Sequence, residues 1–414
     1  MFMAKSSIAR RGVGALILAV IPGTAFAAAT LEDLDRRLKT IEQTQEGMEK
    51  GLDDRVAKAV QSVLGNVELH GFIDTTYLLQ ENVDTVTGNG TPAYPDELST
   101  FSLNQLELRL SGSTEWAAFL AEIEYFQNPT NFPNGANGDG ASTDDVNLEQ
   151  GWVAITPPMF PGFAIKLGKW NAPIGLESLD PPDRMQVTTS MIFNDIAPFN
   201  MTGVMVEYFP NDHIGLEAFI TNGWDVELDF DRDKTYGARV TGGAGPVGGA
   251  FTYIGGKEDG TNWRSVYDGV LTVEPELSDD FSLFVGGEVS YGCEENTSAV
   301  HPGGDTEWLG FIAKTRVEVG RFGLTLRYEY LDDMDGFVTG ADTRIWGVTV
   351  SPSVQVTDNM LMRLEYSYHQ SAGSRVFFRD AEDVFDPGIG DFVYTPMLPT
   401  NENNTFWVQT VYSF

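Results

Sequence analysis

Short segments of alternating polarity run along this chain, and no apolar stretch is long enough to cross a bilayer as a helix. A helical span needs about 20 consecutive apolar residues. The best candidate, Val13 to Ile21, falls well short. In 66–80, Val67, Leu69, Ile73, Tyr77 and Leu79 share one face, while His70, Asp74, Thr76 and Gln80 share the other. In 322–332, Phe322, Leu324, Leu326, Tyr328 and Tyr330 oppose Arg327 and Glu329. A period of two marks a half-buried strand, and about sixteen such segments recur from 66–80 to 404–414.

A water-soluble sandwich also alternates, so the connections decide between the two. Short turns (Gly112 to Thr114, Pro210 to Asp212, Gly242 to Pro246, Gly320-Arg321, and the looser Ser351 to Met360) take turns with long polar segments. The long ones are 81–98, 128–145, 172–200, 223–233, 293–306, 333–342 and 371–403. Short turns at one end and long loops at the other form the pattern of an outer-membrane barrel. Aromatic residues near strand ends (Trp116, Tyr125, Phe126, Trp152, Trp170, Tyr208, Phe209, Trp308 and Tyr412) are candidates for interfacial girdles. The last segment ends Tyr412-Ser413-Phe414 and must pair with 66–80 to leave no open edge in lipid. Tyr412 and Phe414 also resemble the C-terminal signal read by the barrel-assembly machinery. The fold class is therefore all-β and transmembrane: an antiparallel barrel of about sixteen strands over 65–414, with membrane lipid as its partner.

Upstream, Lys5, Arg10 and Arg11 precede the short apolar run, and Ala25-Phe26-Ala27 follows it. That is a cleaved secretory signal over 1–27. In 28–64, Leu31, Leu34, Leu38, Ile41, Gln45, Met48 and Leu52 recur three and four apart, which forms the seam of a short periplasmic coiled coil. A helix packed on its own barrel is the alternative. The net charge of −34 argues against nucleic acid as a partner. The single Cys293 rules out an intrachain disulfide and a cysteine-based metal cluster.

The motif Gly168-Lys169-Trp170-Asn171-Ala172-Pro173-Ile174-Gly175-Leu176-Glu177, with the later Pro198-Phe199-Asn200-Met201-Thr202-Gly203-Val204, resembles the OmpL-like β-barrel porin family. The resemblance covers roughly 66–414 and extends in part to phosphate-selective porins. It implies a pore in the bacterial outer membrane, a homotrimer and, in several relatives, an N-terminal coiled coil. It names no substrate.

The segment 172–200 is too rich in proline and glycine for a long helix or a regular strand, and a loop of this length is usually functional. Glu177, Asp180, Asp183, Arg184 and Asp195 are its charged residues and the candidate pore constriction. Lys166, Arg239, Lys314, Arg316, Arg327, Arg363 and Glu365 are the candidate lumen wall. Loop acids facing wall bases across a pore would set up a transverse field. The bland alternative is a set of solvated lumen residues paired with their neighbours. The acidity points to cation preference, although a saline habitat also favours acidic surfaces.

The four histidines show no metal-ligand spacing, and no catalytic, cofactor-binding or metal-binding residue is assigned. His369 beside Ser367 and Ser371 is too thin to make an enzyme. The reading is a passive porin for small hydrophilic solutes or ions. Its alternatives are a structural tether, whose coiled coil contacts the cell wall, and a substrate-specific channel.

Overall fold

In the computed structural model, the alternating segments pair edge to edge as antiparallel strands until the sheet closes on itself. It describes residues 67–414 apart from most of 81–98, all of 127–144, most of 380–397, and positions 231, 259, 260 and 279. The signal over 1–27 and the coiled-coil seam from Leu31 to Leu52 lie outside the described residues.

The barrel begins with β1 (Val67–Gln80), β2 (Ser99–Ser113), β3 (Ala117–Phe126), β4 (Asp145–Ile155) and β5 (Phe163–Asn171). It continues through β6 (Asn200–Asn211), β7 (Ile214–Thr221), β8 (Thr235–Ala244), β9 (Val247–Lys257), β10 (Trp263–Val273) and β11 (Phe281–Glu294). It ends with β12 (Thr306–Val319), β13 (Phe322–Asp333), β14 (Thr343–Thr357), β15 (Met360–Gly373) and β16 (Glu402–Ser413). Each strand pairs with its neighbours in the chain, and β16 returns to β1 from Phe72 opposite Ser413 to Gln80 opposite Thr405. Gly71 and Phe414 exchange backbone hydrogen bonds of 3.0 and 2.9 Å, which extends the seam by one pair. A side chain at Gly71 would collide with the Phe414 ring, so the terminal aromatic seats on a residue that leaves room for it.

Strand faces are reversed relative to a soluble protein. On β13, Thr325, Arg327, Glu329 and Asp333 are buried, whereas Leu324, Leu326 and Tyr328 are exposed. The same inversion appears on β15, where Arg363, Glu365, Ser367 and His369 point inward and Leu364 and Tyr366 outward. Exposed aliphatic and aromatic bands around a polar interior are what lipid outside and a lumen inside require. Among the described residues no helix is long and apolar enough to cross a membrane.

Three expected girdle aromatics depart from that role: Trp152 is half-buried against the lumen cluster, and two more are fully inside. Trp170 and Trp308 are fully buried on the inner face, and Trp308 stacks on Phe337 at 3.8 Å between ring centroids. The cause is parity: Trp308 shares its face with Ile312 rather than with Phe311. Trp116, Tyr208, Phe209 and Tyr412 remain exposed. The end with long connections also carries one short connection, 258–262, between β9 and β10.

Closure depends on β16. Deleting 402–414 would leave β1 and β15 with unpaired edges in hydrocarbon. The truncated chain is expected to lose the heat-modifiable folded band on a semi-native gel, and a normal band would show that closure does not need this strand.

Candidate functional site: a loop bound across the lumen

The connection from β5 to β6 turns into the barrel and crosses it. Near its start, Pro173 accepts a 3.1 Å hydrogen bond from Thr252 of β9, and the Gly175 amide donates to Asp268 of β10 at 3.2 Å. The Leu176 amide donates to Glu288 of β11 at 2.9 Å. Five residues after Gly175, Asp180 accepts from Arg109 of β2 at 3.2 Å. In the closed ring β2 and β10 stand eight positions apart, which places them on opposite sides. A segment bonded to both spans the lumen.

Beyond Asp180 the chain makes one turn of 3-10 helix, Pro181–Asp183, and runs along the wall of β12 to β15. Arg363 donates to the carbonyl of Pro181 at 3.0 Å and also to that of Arg184. Arg316 and Thr325 both donate to the Met185 carbonyl, at 3.1 and 3.0 Å. Glu365 accepts from the Val187 and Thr188 amides at 2.8 and 3.1 Å, and from the Thr188 hydroxyl. Arg327 donates to the Thr188 carbonyl at 2.6 Å. The backbone groups of an irregular segment, which need partners once buried, are thus taken up by charged wall residues.

The second half of the loop docks through apolar contact. A short helix α1, Met191–Asp195, is capped by Ser190, whose side chain accepts from the Phe193 amide. The Met191 amide donates to Glu329 at 2.8 Å, and His369 holds the other oxygen of that carboxylate at 3.1 Å. Met191, Ile192, Ile196 and Ala197 pack with Met201, Phe219, Trp308, Ile312 and Leu331 in one buried cluster. Gly310 makes this possible, because a Cβ there would lie 2.5 Å from Ile192 and 2.7 Å from Ile196.

Glu177 is the electrostatic centre of the loop. Its side chain is 3% exposed and pairs with Lys314 and, at 3.5 Å, with Arg327, while its other oxygen takes the Ser190 amide at 2.6 Å. Burial would raise its pKa, but Lys314 and Arg327 outweigh that and hold it below the usual carboxylate value. Arg184 turns back into its own loop and donates to the carbonyls of Ser178, Leu179 and Val187. Burial lowers its pKa, against the attraction of Asp74 and Asp180. Asp183 is exposed to the lumen, and Asp195 ends α1.

The candidate wall residues therefore fall into two groups. Lys314, Arg316, Arg327, Arg363 and Glu365 touch the loop directly instead of facing it across open water. Lys166 pairs with Glu207 at 2.6 Å and lies over the Trp152 ring, while Arg239 stands opposite Glu217 in the β7–β8 register. These last two belong to the wall of β5 to β8.

Glu329, which His369 holds, and Asp268 and Glu288 also anchor the loop and were not among the expected site residues. Nor were the buried acids Glu107, Glu122, Glu124 and Glu149 on β2 to β4. Inward parity was the available signal for Glu107, Glu122 and Glu124, though it does not reveal which wall a loop will meet.

Residues 66–414 match the family described as "Putative beta-barrel porin-2, OmpL-like". The chain belongs to this family. It is accordingly an outer-membrane channel protein and not an enzyme. No curated protein matches it. Among solved structures, the OmpL-like chain is similar in fold to OmpT of Vibrio cholerae, with 12% identity, 84% of this chain and 97% of that chain covered, and a TM-score of 0.53. It is similar to an anion-selective porin from Comamonas acidovorans at 11% identity, 84% and 99% coverage, and a TM-score of 0.53. The outer membrane channel DcaP of Acinetobacter baumannii gives 11% identity, 84% and 97% coverage, and a TM-score of 0.51.

Two outcomes follow for the OmpL-like loop. Glu365→Ala removes a buried acceptor of three hydrogen bonds, a loss of about 3 kcal/mol or more in loop docking. Trypsin is then expected to cut after Arg184 in the folded variant and not in the parent, and equal resistance would show that Glu365 does not hold the loop. The depressed pKa of Glu177 means its contribution is complete above the ordinary value of 4.5 and is lost as pH falls through the lower folded value. Hydrogen exchange in the peptide containing Ser190, corrected for intrinsic rates, is expected to accelerate as pH falls below the ordinary carboxylate value of 4.5. The Glu177→Gln variant should lack this step.

Proposed function

We propose that the barrel conducts small hydrophilic solutes and ions passively, with a preference for cations, and that loop 172–200 is its constriction. The observation that carries this reading is the bonded path of the loop from β10 to β2, since a segment fixed to opposite walls narrows whatever passes. Cation preference draws on the net charge of −34 and on the buried acids of β2 to β4, of which Glu122 pairs with Arg109. Acid-rich walls raise the local concentration of cations and repel anions. Glu177, Asp180, Asp183, Arg184 and Asp195 shape the narrow zone, with Asp183 offering its charge to the lumen. Lys166 and Arg239 line the wall away from the loop.

We also propose a homotrimer. The family supports it, as does the reported trimer form of OmpT from Vibrio cholerae, to which this fold is similar. The seam from Leu31 to Leu52 would add a second self-association element on the periplasmic side.

The test is single-channel conductance of the mature protein in planar bilayers, with the reversal potential read under a KCl gradient. Stepwise channels with a cation-selective reversal potential are expected, and removal of 178–190 should raise unit conductance several-fold. An anion-selective potential would reject the charge argument while keeping the pore. A folded barrel that stays closed even without 178–190 would favour the tethering role.

A further inference from the structure

The wall of β2 to β4 holds a group of acids, of which Glu107 also lies beside Asp180 of the loop. Glu107 on β2 stands directly opposite Glu124 on β3. Between β3 and β4 the register shifts at Glu122 and Ile123. That bulge turns two consecutive residues of β4, Glu149 and Gln150, toward the lumen, where regular pairing would send one of them into lipid. One carboxylate oxygen from each of Glu107, Glu124 and Glu149 lies within 4.8 Å of the others, and all three residues are 2% exposed.

Their hydrogen bonds are incomplete in an informative way. Glu124 is gripped on both oxygens, by Gln105 at 3.1 Å and by Asn147 at 3.1 Å. Glu149 receives the Asn171 amide at 2.7 Å on one oxygen and lies within hydrogen-bonding reach of Glu124. Its other oxygen, Oε2, and Oε2 of Glu107 are buried with no donor. The neighbouring base, Arg109, is bonded to Glu122 and Asp180, in a second group of acids that shares Glu107. Three carboxylates this close in a dry wall repel one another unless a cation or protons intervene.

We propose that Glu107, Glu124 and Glu149 form a site for a hard divalent cation, Ca²⁺ by its coordination habits. The donors are all oxygens, which suits a hard ion. The ligands ride on three strands whose positions the barrel sets, and Ca²⁺ accepts irregular coordination at about 2.3–2.6 Å where Mg²⁺ demands a near-regular octahedron. Gln105, Asn147 and Asn171 are the outer amides that orient two of the carboxylates. The bulge at Glu149 is explained by the same role. The site does not depend on whether the pore conducts, or which ion it prefers.

The experiment is a calorimetric titration of Ca²⁺ into the folded, chelator-treated full chain in detergent at neutral pH. It compares the parent with Glu107→Gln/Glu149→Gln and with Glu318→Gln, a carboxylate outside the group. The expected result is one Ca²⁺ per chain lost in the double variant and retained in Glu318→Gln. Equal stoichiometry in parent and double variant overturns the proposal, as does a parent that binds no Ca²⁺, which would mean that protons neutralise the group. If the double variant does not fold, Asn147→Ala keeps the carboxylates and releases one grip on Glu124. It should weaken Ca²⁺ affinity about tenfold, and unchanged affinity would again overturn the site.

Discussion

Backbone hydrogen bonding in hydrocarbon is the constraint on which the rest of this molecule depends. A strand edge in lipid exposes amides and carbonyls that no water can satisfy, so a sheet that crosses the membrane must close. Here β16 closes on β1, and the Gly71–Phe414 pair extends the seam to the last residue of the chain. Once the outer face belongs to lipid, the polar half of every strand points inward. Arg327, Glu329, Arg363 and Glu365 are buried for that reason, and they form the wall on which the loop settles.

Two kinds of force hold that loop at two stretches of its length. From Gly175 to Met191 the wall takes up backbone amides and carbonyls and the Glu177 carboxylate with charged side chains. From Met191 to Ala197 the contact is apolar, and Gly310 leaves space for Ile192 and Ile196. Buried ion pairs by themselves are weak evidence of stability, because desolvation cancels much of their attraction. Their effect here is directional. Glu177 has its cations on β12 and β13, and Asp180 has Arg109 on β2, so the chain has one path along which both are satisfied.

The acids of the lumen have different fates because their neighbours differ. Glu177 sits between two bases and stays ionised, and Glu329 shares Arg327 and His369. Asp225, in the loop after β7, is pushed up to about 6 by burial despite accepting from the Phe199 and Asn200 amides. Glu107, Glu124 and Glu149 are packed together without a base bonded to them. One sign of charge thus fastens a loop on one wall and gathers a cluster on the other.

Strand number, facing and the alternation of short and long connections were legible in the residues, because a period of two is local and each strand reports its own orientation. The segment 172–200 was legible as the odd element, since its prolines and glycines exclude both regular periods. Its partners were not. Glu177 meets Lys314 across 137 positions and Val187 meets Glu365 across 178, separations that no local pattern encodes. Trp170 and Trp308 read as girdle residues from their place near strand ends, but parity and the apolar half of the loop put them inside. Glu149 turned inward beside Gln150 through a bulge that only pairing with β3 reveals. The sequence by itself determined a lipid-facing barrel, because each strand's chemistry is complete within a few residues. Only the tertiary structure decided which lumen charges meet, because closing the ring brings together strands that are far apart in the chain.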